Sequence, residues 1–153
     1  MALYLVQHGK NLPKEQDPQK GLSKEGLAQV QRIAQVAGGY GLKVSCIQHS
    51  GKKRAVQTAE VFAQALKPPQ GIQSIDDINP LDDVSAFAPK IDLNRNVMLV
   101  GHLPFMERLI SFLIISRVEP PVFKMQNGGV ICLDRYPDSE QIVIKWALMP
   151  MIG

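Results

Sequence analysis

Two short apolar runs, each followed directly by a histidine motif, constrain the fold of this chain more than any other feature. The first run, Ala2 to Val6, precedes Gln7-His8-Gly9, and the second, Val97 to Val100, precedes Gly101-His102. Continuous apolar runs of this length are typical of strands that are buried on both faces of a parallel sheet. Because open α/β sheets bind ligands beyond the carboxyl ends of their strands, we expect the two histidines to meet above one sheet.

The rest of the chain predicts further strands that alternate with helices. Ser23 is placed to cap a helix that ends at Gly38-Gly39, Ser50 to cap a second helix that ends at Pro68, and Pro104 suits the first turn of a third helix that runs to about Ser116. The other predicted elements are strands at Val44 to Gln48 and Ile72 to Ile75, a helical turn at Val84 to Ala88, and a closing antiparallel pair at Gly129 to Leu133 and Ile142 to Trp146.

This order predicts a single α/β domain over residues 1–153 with three layers. We expect a mostly parallel sheet, helices on both of its faces and an antiparallel edge. Little is predicted for residues 70–95, which are polar and contain prolines.

Composition excludes several classes of function. The net charge is +3 over 153 residues and the lysines and arginines are scattered, so no concentrated basic face for nucleic acid is expected. The longest apolar stretch, Leu109 to Ile115, is interrupted by Ser111 and is far shorter than the ~20 residues of a membrane span. We therefore expect a soluble, cytoplasmic protein.

Cys46 and Cys132 lie in apolar runs without Cys-x-x-Cys spacing, which predicts buried free thiols.

The predicted strand ends bring together side chains that suit an anion. Arg54, one turn into the second helix, offers a planar fork that matches phosphate oxygens, and the predicted helix starts add unpaired N–H groups. His49 is interpreted as a packing or surface residue and Ser50 as a helix cap. No pair of histidines has the spacing of a zinc site, so neither a metal nor another cofactor is predicted. Phosphate is the ligand that this pattern favours.

Four segments, in order, resemble those of the histidine phosphatase superfamily, whose fold is also called phosphoglycerate mutase-like. Gln7-His8-Gly9 is similar to the family's Arg-His-Gly signature, and Gly21 to Gly26 is similar to its Leu-Thr-x-x-Gly helix start. Ser50 to Glu60 resembles its Ser-x-x-x-Arg-Ala-x-Gln-Thr-Ala segment, and Gly101 to Pro104 its second-histidine motif. The match runs nearly end to end, and the length of the chain resembles that of the short SixA-type phosphohistidine phosphatases.

The resemblance implies a role for each matched residue. His8 would attack phosphorus and carry the phosphoryl group as a phosphohistidine, while Arg54 and His102 would hold the equatorial oxygens. Gln7 and Gly9 would lie against the phosphate. Gln7 stands where the family has an arginine, which removes a fixed cation, and Lys10, Lys20 or Lys52 is expected to restore part of that charge, with Lys10 assigned to phosphate binding.

The general acid is expected in the segment that varies within the family. Asp82 and Asp83 are the candidates there, and Asp83 is slightly favoured. A phosphorylated imidazole is a better leaving group than an alkoxide once it is protonated, so a phosphohistidine phosphatase would need little help from such an acid.

The resemblance therefore implies a phosphatase that acts on phosphohistidine of a partner protein or on a small phosphoester and releases inorganic phosphate. The chain has little room for the long insertions that cover the substrate in larger members of the family, and an open site favours a macromolecular phosphodonor. The alternative is a non-catalytic module of the same fold that recognises phosphate, with its site weakened by Gln7.

Overall fold

Six strands and four helices alternate along residues 1–152, which are the residues that the computed structural model describes. The strands are β1 Leu3–Gln7, β2 Cys46–His49, β3 Ile72–Ser74, β4 Val97–Gly101, β5 Val130–Arg135 and β6 Ile142–Leu148. The helices are α1 Lys24–Gly39, α2 Lys53–Leu66, α3 Val84–Phe87 and α4 Phe105–Ile115, with short 3-10 turns at Ala88–Lys90 and Leu93–Arg95.

All six strands belong to one sheet, in the order β3-β2-β4-β1-β5-β6. Strands β3, β2, β4 and β1 are parallel to one another, whereas β5 is antiparallel to β1 and β6 is antiparallel to β5. The predicted mostly parallel sheet with an antiparallel closing pair is therefore confirmed. Strands β1 and β4 are central neighbours, although about 90 residues separate them along the chain.

The sheet separates two apolar cores, which confirms the predicted three layers. Successive strand side chains point to opposite faces, so Tyr4 and Val6 of β1 belong to one core and Leu3 and Leu5 to the other. The first core is closed by α1 and α2, for example by Val30 and Phe62. On the other face α3 and α4 close the second core, with Phe87, Phe105, Met106, Leu109 and Ile110 buried there.

The first two helices begin differently from one another. Ser23 caps α1 as predicted, since its side chain accepts the N–H of Gly26. Helix α2 begins only at Lys53, and Ser50 does not cap it. Gly51 has a positive φ of 88° and donates its N–H to Nδ1 of His49, so the chain completes a turn before the helix starts.

Two segments without a firm prediction contribute to the second core. Ile78, Val84 and Leu93 are buried in the segment between β3 and β4, and Met125 is buried in the segment between α4 and β5.

Both predicted free thiols are confirmed, because Cys46 and Cys132 are buried and unpaired. Burial raises the pKa of Cys132 to about 11. Among the helices of residues 1–152, none combines the length and the apolar character needed to cross a bilayer.

Two glycines of α1 provide a matched test of this packing. A Cβ on Gly26 would lie 2.1 Å from the carbonyl oxygen of Lys10, whereas a Cβ on Gly39 would have no atom within 4 Å. We expect Gly26→Ala to lower the free energy of unfolding by about 1–3 kcal/mol, because the backbone of the Lys10 loop must move. Gly39→Ala should raise it by up to about 1 kcal/mol. Urea unfolding followed by circular dichroism measures both changes, and equal effects would contradict the close approach.

Candidate active site

The two predicted histidines meet at the carboxyl ends of β1 and β4. Their ring centroids are 5.0 Å apart and the rings are tilted by 51°. The parallel register pairs Gln7 with Gly101, so the next residue of each strand, His8 and His102, emerges at the same edge of the sheet. Both rings are almost buried, with 8% of His8 and 1% of His102 exposed.

Arg54 joins the two histidines from the first turn of α2. Its Nε donates to Nε2 of His8 over 3.3 Å. Strand β2 pairs with β4, so the chain that leaves β2 delivers the start of α2 to the same edge. The structure thus brings together His8, Arg54 and His102, the three residues to which the sequence assigned the phosphate.

The contacts of His8 fix which of its nitrogens carries the proton. Nδ1 lies 2.7 Å from the carbonyl oxygen of Gly9, which can only accept, so Nδ1 holds the hydrogen. Nε2 is then bare and accepts the N–H of Arg54. Burial lowers the pKa of His8 to about 4, and the charge of Arg54 acts in the same direction, while the Gly9 carbonyl opposes them. His8 is therefore neutral at pH 7, and its Nε2 carries no hydrogen.

The main chain around His8 is held by two side chains from elsewhere. Asn127 donates to the carbonyl oxygen of His8 over 2.9 Å, and Thr58 accepts the N–H of Gly9 over 3.0 Å while donating to the carbonyl of Arg54. The Gly9 amide is thus already bonded, and the prediction that it binds phosphate is not supported. A Cβ on Gly9 would lie 2.7 Å from Cγ2 of Val30, so Gly9 permits the close packing of α1 against the chain that follows β1.

His102 is held by Ser50, the residue that the sequence assigned to a helix cap. The Ser50 Oγ lies 2.6 Å from Nε2 of His102 and also accepts the N–H of Lys52 at 3.4 Å. The Ser50 hydroxyl can donate its own hydrogen to Nε2, and in that tautomer the hydrogen of the ring lies on Nδ1. Nδ1 of His102 is buried and has no hydrogen-bond partner within residues 1–152.

Burial and the surrounding positive charges keep His102 neutral. The pKa of His102 is lowered to about 3. Burial is the largest cause, and the charges of His8, Arg54 and Lys52 lower this pKa further. His8, Arg54 and Lys52 are positive or can become positive, and their charges lower the pKa of His102. An anion between the rings would act on this pKa in the opposite direction. The site is built to receive negative charge.

Gln7 is buried at the end of β1 and leaves one polar atom unpaired. Its side chain is 8% exposed, and its Oε1 has no hydrogen-bond partner within residues 1–152. The carbonyl oxygen of Gln7 accepts the N–H of Gly128, which ties β1 to the turn before β5. The amide brings no charge to the site, in contrast to an arginine.

Of the lysines expected to replace that charge, Lys10 is directed elsewhere. Its Nζ lies 3.0 Å from Glu25 at the start of α1, and both side chains are largely exposed. Lys52 is close enough for its charge to lower the pKa of His102, and no carboxylate lies within 4.0 Å of it among the described residues. The positions therefore favour Lys52 over Lys10 as the additional cation of the site.

The two candidate acids have structural contacts instead. Asp83 caps α3, and its Oδ1 accepts the N–H of Ser85 at 2.9 Å and the hydroxyl of the same residue at 2.7 Å. These hydrogen bonds lower the pKa of Asp83, which keeps the carboxylate ionised and opposes a role as proton donor. Asp82 accepts the N–H of Asn79 at 2.8 Å. The contacts therefore speak against the expected general acid.

His49 has the packing role that the sequence suggested. It is buried, and its Nδ1 accepts the N–H of Gly51, which shapes the turn that carries Ser50 and Lys52. Within residues 1–152 no three histidine, cysteine or acidic side chains are grouped as ligands for a metal ion.

Sequence reasoning missed three positioning contacts. Thr58 lies within a segment matched to the family, but its double hydrogen bond depends on how α2 packs against the β1 end. Asn127 comes from a stretch in which no element was predicted, and nothing in its neighbours indicates a contact with His8. Ser50 was recognised, but with a local role in place of its contact to a histidine 52 residues away.

Comparison with known proteins agrees with this geometry. Residues 3–79, half of the chain, match the family model described as histidine phosphatase superfamily (branch 1). The chain belongs to the histidine phosphatase superfamily. The matched part includes His8 and Arg54, while His102 lies beyond it. No curated protein matches the chain.

Solved structures of this superfamily share the fold over nearly the whole chain. The protein histidine phosphatase SixA, solved with tungstate, has a TM-score of 0.80 and 19% identity, covering 98% of this chain and 97% of its own. The "putative phosphohistidine phosphatase SixA" from Agrobacterium tumefaciens has a TM-score of 0.78 and 25% identity, covering 97% of each chain. The alpha-ribazole phosphatase from Shigella flexneri has a TM-score of 0.70 and 16% identity, covering 100% of this chain and 98% of its own.

The buried histidines of this superfamily member should titrate far below the usual range. NMR of the imidazole nitrogens should give His8 a midpoint near pH 4 and His102 one near pH 3, so both rings stay neutral at pH 5.5. The unfolded chain in urea, the reference, takes up protons near pH 6.5. The free energy of unfolding should therefore fall as the pH drops from 6.5 towards 4. A midpoint for His8 at or above pH 6 would contradict the described environment.

Proposed function

We propose that this histidine phosphatase superfamily member is a phosphatase that forms a phosphohistidine on Nε2 of His8. The observation that carries the proposal is the neutral His8 ring, whose bare Nε2 faces Arg54 beside the unpaired Nδ1 of His102. A nucleophile needs a free lone pair at the pH at which it works, and the lowered pKa of His8 supplies it.

In the first step, Nε2 of His8 attacks phosphorus while the bond to the leaving group breaks on the opposite side. When the phosphoryl group binds, Arg54 turns its N–H groups from Nε2 to the phosphoryl oxygens, which frees the lone pair for the attack, and His102 donates through Nδ1. The Gly9 carbonyl stabilises the positive charge that develops on the ring, since it accepts from Nδ1. A phosphohistidine whose other ring nitrogen is protonated departs as neutral imidazole, whereas an alkoxide takes its proton from solvent.

In the second step, water attacks phosphorus and the bond to Nε2 breaks. Inorganic phosphate is released, and His8 returns to its neutral form with the hydrogen still on Nδ1. The same donors serve both steps, because the phosphoryl oxygens occupy similar positions in each. No further reactant is required.

The substrate that we favour is phosphohistidine of a partner protein. Asp82 and Asp83 both accept hydrogen bonds from main-chain amides, so neither supports the protonation of a poor leaving group. An imidazole leaving group needs less assistance than an alkoxide. A small phosphoester is the second candidate, and it would require a proton from solvent or from the substrate itself.

Trapping the covalent intermediate tests the proposal directly. Wild-type protein that is incubated with phosphoramidate and quenched at alkaline pH should gain one acid-labile phosphoryl group on His8, seen by mass spectrometry. His8→Ala should gain none, because no other imidazole has a bare nitrogen beside Arg54.

The alternative, a module that recognises phosphate without turnover, is favoured by Gln7. Such a module would bind inorganic phosphate but form no adduct. Phosphate binding with an unlabelled His8 would therefore overturn the phosphatase and support the module.

The missing arginine predicts unequal roles for two lysines. Lys52→Gln should lower kcat/KM for phosphohistidine peptides by about 10-fold and raise the pKa of His102, since its charge lies near that ring. Lys10→Gln should change kcat/KM by less than about 2-fold, because Lys10 is paired with Glu25 at the surface. Gln7→Arg should raise kcat/KM by about 10-fold or more, by analogy with the loss seen when one preorganised donor is removed. Equal effects of the two lysine variants would remove Lys52 from the site.

A further inference from the structure

A basic pocket borders the site at Arg54, and three of its cations, Lys14, Lys20 and Lys53, have no role in the chemistry described so far. It has a volume of about 580 Å³ and is lined by five cationic side chains: Lys14, Lys20, Lys52, Lys53 and Arg54. Arg54 belongs both to this basic pocket and to the site, where its Nε contacts His8. Arg54 therefore borders both the basic pocket and the place proposed for the scissile phosphate.

Positive charge in the basic pocket is only partly compensated by the protein. Asp17 lies 2.8 Å from Lys53, and this contact, with the N–H groups of Gly21 and Gln19, lowers the pKa of Asp17 to about 2. Lys14 and Lys20 have no carboxylate within 4.0 Å among residues 1–152. The five cations outnumber the Asp17 carboxylate, so the basic pocket keeps a positive charge. Such a concentration raises the local density of anions.

The loop that carries Lys14 and Lys20 is fixed to the rest of the protein. The N–H of Leu12 donates to the carbonyl of Gly21 over 2.8 Å, and the N–H of Leu22 donates to Gln57 of α2 over 2.7 Å. The Asp17 carboxylate accepts the N–H of Gly21 within the same loop. Because both ends are tied to each other and to α2, the loop holds its lysines beside Arg54 without a prior ordering step.

We propose that the basic pocket is a subsite for a second anionic group of the substrate, a phosphate or a carboxylate near the scissile phosphate. The proposal rests on the proposed phosphatase function, since it assumes that the first phosphate lies at His8. Lysines bind as point charges with rotatable donors, so the subsite selects for charge more than for shape. A substrate with two anionic groups is preferred over one with the phosphate alone.

Equilibrium binding to the His8→Ala variant tests the subsite without turnover. The probes are 1,3-propanediol bisphosphate and propyl phosphate, measured by calorimetry at low salt. The bisphosphate should bind at least about 10-fold more tightly, and most of this ratio should disappear in the Lys14→Gln/Lys20→Gln double variant. The matched control, Lys43→Gln/Lys67→Gln, removes equal charge near the opposite end of the strands and should keep the ratio.

Equal affinity for the two probes, or a ratio that the Lys14→Gln/Lys20→Gln variant does not reduce, would overturn the subsite. This test of the subsite can fail independently of the test of the proposed phosphatase function. Turnover by the wild type without the binding ratio overturns the subsite alone, whereas the ratio without a phosphorylated His8 overturns the phosphatase and leaves a binding site for two anions.

A second set of probes identifies the source of the second anion. Phosphohistidine peptides flanked by aspartates are compared with peptides flanked by asparagines, with kcat/KM as the readout. A preference for aspartate that falls in the Lys14→Gln/Lys20→Gln variant assigns the second anion to an acidic protein segment. A preference confined to the bisphosphate assigns it to a small molecule. No preference in either pair overturns the subsite.

Discussion

The parallel pairing of β1 with β4 is the constraint on which the site depends. These strands lie in the middle of the sheet, and their register places Gln7 opposite Gly101, so the residues that follow must share one edge. A shift of one residue would place His8 and His102 at different heights and turn one of them to the other face. The buried side chains of β1, which enter both apolar cores, prevent that shift. Packing that looks purely structural thereby sets the distance between the rings.

Burial at this edge also sets the chemistry of the histidines. Removing both rings from water favours their neutral forms, and the neighbouring cations add to the effect. One ring then has its hydrogen on Nδ1 because Gly9 offers only a carbonyl, and the other is paired with Ser50 through Nε2. In the proposed mechanism, the same burial leaves His8 as the nucleophile and His102 as a neutral donor. Their different hydrogen-bond partners, and not their pKa values, separate the two roles.

Patterns that repeat along the chain made the fold predictable. Apolar runs and helix signals gave the alternation of elements, the antiparallel edge and the cap at Ser23, because each depends on neighbours in sequence. The contact between Ser50 and His102, and that between Asn127 and His8, depend on how distant segments pack, which no local pattern contains. Asp83 was predicted to be a general acid, but in the structure it caps the short helix α3. The sequence predicted only a helical turn at that place. Motif order indicated which residues meet; their hydrogen-bond partners required the structure.

The replacement of an arginine by Gln7 changes where positive charge is held. An arginine at that position would be nearly buried, as Gln7 is, and its attraction for phosphate would be little screened by salt. In this chain much of the positive charge lies on the more exposed lysines of the basic pocket, where ions from solution weaken it. Binding through such a surface depends strongly on ionic strength and gains most from substrates with several negative charges. The loss of a buried cation and the presence of the basic pocket thus favour the same kind of substrate, one that is anionic beyond its reacting phosphate.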